Sequence, residues 1–115
     1  MRHDDTVYLR HMLETVRRAR AKTGDDRARF DADDTLQLAV VHLIQILGEA
    51  ARRVSEKVQA RHPEIPWSQI IGMRHRVVHD YLSVDLDIVW SVVNGDLPGL
   101  ERLLGEAVDR EAHHA

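Results

Sequence analysis

The stretch Met73 to Leu82 reads Met-Arg-His-Arg-Val-Val-His-Asp-Tyr-Leu. It holds two arginines, two histidines, an aspartate and a tyrosine, interrupted only by Val77 and Val78. Arg74 offers a permanently charged planar fork suited to phosphate, and His79 offers a group that takes or gives a proton near neutral pH. Together they are tools for phosphodiester chemistry. His79 can remove the proton of a ribose 2′-hydroxyl while Arg74 stabilises the charge that builds on the phosphorus oxygens. That reaction cleaves RNA without a metal and leaves a 2′,3′-cyclic phosphate. Spacing alone leaves two blander readings open. In one, Arg74 pairs with an acid such as Glu49 and His79 merely ends a helix. In the other, the same residues bind a nucleotide or a partner protein and cut nothing.

The remaining polar residues of the stretch admit further roles. His75 and His79 stand at the separation that lets two imidazoles on a helix grip one metal. Arg76, however, occupies the position where a metalloprotease helix carries glutamate, and its charge repels a cation. No metal and no cofactor is expected. Tyr81 is either a packed ring with its hydroxyl at the rim or an exposed hydroxyl open to modification. On a regular helix Arg74 and His79 lie about 140° apart, so they flank a face rather than share it. Two copies of such a helix meeting across a twofold axis would bring both kinds of residue into one cleft.

The elements that must position this stretch follow from apolar spacing. Val7, Leu9, Met12, Leu13 and Val16 mark a first helix from about Asp5 to Lys22, ended by Gly24. Asp31 can cap a second helix whose apolar residues, Leu36, Val40, Leu43, Leu47, Ala50, Val54 and Val58, recur until Pro63, a span of roughly 40 Å. Pro63-Glu64-Ile65-Pro66 is an extended connector. A third helix follows, carrying Trp67, Ile70, Ile71, Val77 and Val78 together with the reactive stretch. Ser83 can cap a fourth with Leu86, Val89, Trp90 and Val93 on its apolar side; Asn94-Gly95 interrupts it, and Asp96 restarts it through Leu97, Leu100, Leu103, Leu104 and Ala107. Both tryptophans read as core. A polar tail begins at about residue 109, with Glu111 to Ala115 expected to fray. The pattern contains no strand candidate. It predicts an all-α, up-and-down four-helix bundle with the last helix broken or doubled. Ala39, Val41, Ile44 and Ile46 widen the apolar stripe of the second helix beyond one face, which points to cover from a second copy.

Composition narrows the class. A chain of 115 residues, 43% hydrophobic and 30% charged, is expected to form a single folded domain over residues 1–115. A net charge of −3 excludes general electrostatic coating of nucleic acid, so any such contact must be local. The absence of cysteine removes disulfides, thiolate metal sites and thiol nucleophiles. No apolar run reaches the length of a membrane span, and Met-Arg-His-Asp-Asp lacks the apolar core of a signal peptide, so a cytoplasmic protein without membrane contact is expected.

Several segments in order carry a family resemblance: Leu47-Gly48-Glu49-Ala50-Ala51, Pro63-Glu64-Ile65-Pro66-Trp67, Ile71-Gly72-Met73-Arg74, Val78-His79-Asp80-Tyr81, Val89-Trp90 and Asp96-Leu97-Pro98. Over roughly Thr35 to Leu104 the chain resembles the HEPN domains, and among them the HepT-like branch once called domain of unknown function 86. The sharpest element is arginine, four residues, histidine, one residue, tyrosine. The resemblance implies a dimeric, metal-independent endoribonuclease toxin with Arg74 and His79 in the catalytic positions. It also implies a nucleotidyltransferase antitoxin (MntA-like) that silences the toxin by transferring AMP to the motif tyrosine, here Tyr81. The position after the motif arginine, most often asparagine in that branch, is His75 here. Glu49 matches the acidic position of the second helix and is expected to orient Arg74 or His79.

Overall fold

The computed structural model describes residues 4–80 and 83–114, the side chains of His79 and Asp80 excepted. It is an all-α bundle with one small hairpin, and most of its helices begin at a side chain that caps them. Helix α1 (Asp5–Thr23) is capped by Asp4, whose Oδ1 accepts from the Thr6 N–H at 3.0 Å. It ends at Gly24, whose φ of 62° is open to glycine at little steric cost. A short α2 (Arg27–Asp31) is capped by Asp26. Asp33, not Asp31, caps α3 (Asp34–Arg53), accepting from the Leu36 N–H at 3.0 Å. Asp31 closes α2 instead.

The long second helix expected as far as Pro63 is in fact two. Val54 leaves the helical region with φ −69° and ψ 130°, and α4 (Glu56–Arg61) starts afresh. The cause is Ser55. Asp5, from the start of α1, accepts from the Ser55 N–H at 2.7 Å and from its hydroxyl at 2.9 Å, while Ser55 caps α4. A residue held this way is an N-cap with extended backbone, and a helix cannot run through it.

The third helix is divided as well. Gly72 separates α5 (Trp67–Ile71) from α6 (Met73–Val77), and the chain then turns into strand β1 (Val78–Asp80). Antiparallel to it runs β2 (Ser83–Val84), with Val78 opposite Val84 and Asp80 opposite Ser83. The β-branched pair Val77-Val78 favours the change, and the Asp85 N–H donates to the Val77 carbonyl at 2.8 Å, holding the hairpin's base. Ser83 therefore sits in a strand, and Asp85 caps α7 (Leu86–Ser91).

At Asn94-Gly95 the last helix widens rather than stops. Val92–Asp96 is one π turn, in which the Leu97 N–H reaches back to Val92, and α8 (Leu97–Ala112) continues from it. Pro98 has no N–H to give and would crowd the preceding turn of a regular helix. The wider turn supplies the room.

One apolar cluster joins these elements, centred on Leu9, Met12 and Val16 of α1, Val40, Ile44 and Leu47 of α3, and Leu97 and Leu104 at the far side. Helix α1 packs against both α3 and α8. Ile44, expected to face a second copy, is buried within its own chain, whereas Ile46 is exposed. Trp67 is core, but Trp90 is half-buried, stacked at 5.6 Å beneath the Arg27 guanidinium.

The C-terminal helix does not fray at Glu111. Its carboxylate accepts from Arg61 Nη2 at 2.5 Å and Nε at 3.2 Å, and from His62 Nε2 at 2.7 Å. A carboxylate only accepts, so His62 Nε2 carries the proton. The buried His62 in turn offers its carbonyl to the Trp67 indole N–H at 3.1 Å. This clasp ties the end of α8 to the connector that launches α5. The Arg61 hydrogen bond, and behind it that of His62, hold the Glu111 carboxyl at about 2 against the opposing effect of burial. A lowered carboxyl stabilises the fold above the ordinary carboxylate range, and the contribution is lost as pH falls toward 2. Glu111→Gln is therefore expected to lose roughly 1–3 kcal/mol at neutral pH in urea unfolding. It should also flatten the fall of Tm between about pH 4.5 and pH 2. An unchanged acid slope would contradict this role for Glu111.

Candidate functional site

The reactive stretch begins where α5 crosses α3, and a glycine permits that crossing. A Cβ on Gly48 would lie 3.3 Å from the carbonyl oxygens of both Ile70 and Ile71. These are backbone atoms in the last turn of α5. With only hydrogen at this point of α3, the end of α5 seats against the helix, and α6 starts directly over the outward side of α3.

Arg74, in the first turn of α6, thereby reaches a polar cleft of about 240 Å³ lined by Gln45, Gly48, Glu49 and Arg52 of α3, by Ile71, and by Arg74 and His75. Arg74 is half-buried, while His75, Glu49 and Arg52 are exposed. Glu49 faces Arg52 at 3.8 Å, a loose pair on the surface. Among the described residues the Arg74 guanidinium has no hydrogen-bonded or ion-paired partner. The ion pair with Glu49 that spacing left open is therefore not formed, although both side chains line the same cleft. Among the described residues, two guanidinium groups against one carboxylate leave the cleft with surplus positive charge in a chain that is acidic as a whole. A phosphate with its charged non-bridging oxygens is a fitting counter-charge.

The helix carrying Arg74 ends at Val77, so His79 stands in the middle of β1 rather than on the same helix. The helical angle between Arg74 and His79 accordingly does not apply, and neither does the helical pairing of His75 with His79. The side chain of His79 lies outside the described residues, as does Tyr81 entirely. The structure thus brings Glu49, Arg74 and His75 together. Gln45, Gly48 and Arg52 join them as cleft residues not singled out as site residues from the sequence. Gly48 left a trace there, because an isolated glycine inside a helix usually has a packing reason. Among the described residues, no helix is long and apolar enough to cross a membrane.

The ribonuclease HepT-like family matches residues 12–107. The chain belongs to this family. Among the relatives of this HepT-like chain, a "Putative RNase" of Caldanaerobacter subterraneus subsp. tengcongensis is 30% identical, over 90% of this chain and 94% of the relative. A "Probable ribonuclease HepT" of Thermococcus cleftensis is 36% identical over 63% of this chain and 66% of the relative. A longer protein of Methanocaldococcus jannaschii, "Gamma-glutamylcyclotransferase and putative RNase", is 35% identical over 88% of this chain, which spans 46% of that relative. No solved structure matches the chain.

Because both oxygens facing Gly48 belong to the backbone, a larger residue there must push the two helices apart. Gly48→Val is expected to lower stability by about 1–3 kcal/mol in urea unfolding. Unchanged stability would mean that the crossing is not close packed.

Proposed function

We propose that this chain is a metal-independent endoribonuclease toxin that cuts RNA with Arg74 and His79. The reading is carried by Arg74: in a member of the ribonuclease HepT-like family, its guanidinium enters a polar, positively biased cleft with no partner of its own among the described residues. A buried or half-buried arginine with only a structural role is normally held by an acid, whereas one reserved for substrate phosphate is left open. In the proposed reaction His79 takes the proton from the 2′-oxygen, which attacks the adjacent phosphorus. Arg74 stabilises the charge on the non-bridging oxygens, and the 5′-oxygen of the next nucleotide leaves as its bond to phosphorus breaks, taking a proton from solvent. The products are a 2′,3′-cyclic phosphate and a free 5′-hydroxyl. Glu49 is assigned to orienting Arg74 across the cleft, with His75 beside it at the rim.

The proposal includes a homodimer, with a second copy covering the outward face of α3 beside the cleft, where Leu38 is 64% exposed. It also includes a nucleotidyltransferase antitoxin that places AMP on Tyr81, two positions beyond His79, adding bulk and negative charge close to the cutting residues.

Host growth on expression of the chain alone, and cleavage of a mixed RNA by the purified protein in chelator, test these roles together. Arg74→Ala and His79→Ala are each expected to restore growth and to lower cleavage by about 100-fold or more, with circular dichroism unchanged. Cleavage persisting in the folded His79→Ala protein would overturn the assignment. Absence of cleavage by the parent protein, with Tyr81 shown by mass to be unmodified, would favour a binding module instead.

A further inference from the structure

A second groove, of about 430 Å³, opens on the adjoining side of α3, between α3 and α1. The two helices run antiparallel there, as the Asp5 to Ser55 contact at one end shows. The walls carry Tyr8, His11, Glu14 and Arg18 from α1, with Ile46 and Arg53 from α3. The Tyr8 and His11 rings meet edge to face at 6.1 Å, and the Arg53 guanidinium lies over the Tyr8 ring at 6.0 Å.

The charges are distributed unevenly. On α1, Arg17 and Arg20 turn to α8 and are bound by Glu101 at 3.7 and 2.7 Å. Arg18 points the other way, and among the described residues neither it nor Arg53 has an ion pair. Among the described residues Glu14 is the one acid lining the groove, so the two arginines leave it net positive. Ile46, 37% exposed, adds apolar surface between them. Flat rings, an arginine plane and unpaired guanidinium groups in one groove are what single-stranded RNA binds: bases stack, and the backbone meets the cations.

Position along α3 links the groove to the cleft that holds Arg74. Gln45, Glu49 and Arg52 line that cleft, and Ile46 and Arg53, each one residue on, line the groove. One residue is a turn of about 100° around the helix, so the two open on neighbouring faces of α3. We infer that the α1/α3 groove is a substrate subsite holding a nucleotide that flanks the bond to be cut, its base stacked on the Arg53 and Tyr8 wall and its phosphate held by Arg18. The inference rests on the ribonuclease reading for the identity of the strand. It gives the weak general charge of the chain a means of holding RNA locally.

The test measures affinity of the full-length protein for a short single-stranded RNA made uncleavable by 2′-O-methylation, using fluorescence anisotropy across a salt series. Arg18→Glu with Arg53→Glu should weaken binding about tenfold or more and reduce the salt dependence by roughly 0.7 per lost phosphate contact. Arg102→Glu, an exposed reversal on α8, should leave binding near the parent value. On cleavable RNA the groove variants should raise KM and spare kcat. Unchanged affinity in the folded double variant overturns the subsite. So does a double variant whose weaker binding comes with loss of the dimer in sedimentation, because the groove is then an interface between copies. Groove-dependent binding by a protein that never cuts supports the subsite and removes the ribonuclease reading. Arg74-dependent cutting that ignores the groove variants does the reverse.

Discussion

The close approach of α5 to α3 at Gly48 governs where Arg74 stands. A Cβ at this point would sit 3.3 Å from two backbone oxygens that cannot rotate away. The approach is held from the other side by a different kind of contact. Trp67, the first residue of α5, donates its indole N–H to the carbonyl of His62, and Glu111 grips Arg61 and His62 together. Packing thus seats one end of α5 and a buried polar clasp anchors the other. The five residues of α6 have no N-cap side chain of their own and inherit their placement from this arrangement.

The polar residues separate into two populations with different physical roles. Asp4, Asp26, Asp33, Ser55 and Asp85 satisfy helix N-termini, and Glu111 and Glu101 bind arginines of other helices. Arg74, Arg18 and Arg53 do neither among the described residues, and each opens on a cleft beside α3. A cation that lines a cleft and has no ion pair there is placed to accommodate an anion from outside. With a net charge of −3, the chain concentrates rather than spreads its attraction for phosphate.

The first helix and the start of the last were legible in the sequence because local pattern decides them. The end of α8 was not, because Arg61 and His62 bind Glu111 from a distant part of the chain. Helix α1 ends within a residue of Lys22, and the disturbance foreseen at Asn94-Gly95 is real, although it takes the form of a π turn that accommodates Pro98. The divisions of the middle helices were not legible, since each depends on a partner distant in sequence. Ser55 breaks the long helix because Asp5 binds it, and α6 ends at Val77 because Asp85 returns to its carbonyl. The apolar spacing of Val54 and Val58 continues across the first break without a fault, so periodicity cannot report it. The chemistry of the site was readable as residue types; its geometry was not. An arginine on a helix and a histidine on the strand after it replace the pair of helical residues that spacing suggested.

The end groups of cut RNA bear most directly on how Arg74 and His79 work. Purified protein in chelator, incubated with a defined RNA, should yield 5′ fragments ending in a 2′,3′-cyclic phosphate and 3′ fragments beginning with a 5′-hydroxyl, because the attacking oxygen belongs to the substrate itself. Fragments ending in a 3′-hydroxyl and beginning with a 5′-phosphate would instead require water as nucleophile and would contradict the assignment of His79 as the base for a ribose hydroxyl.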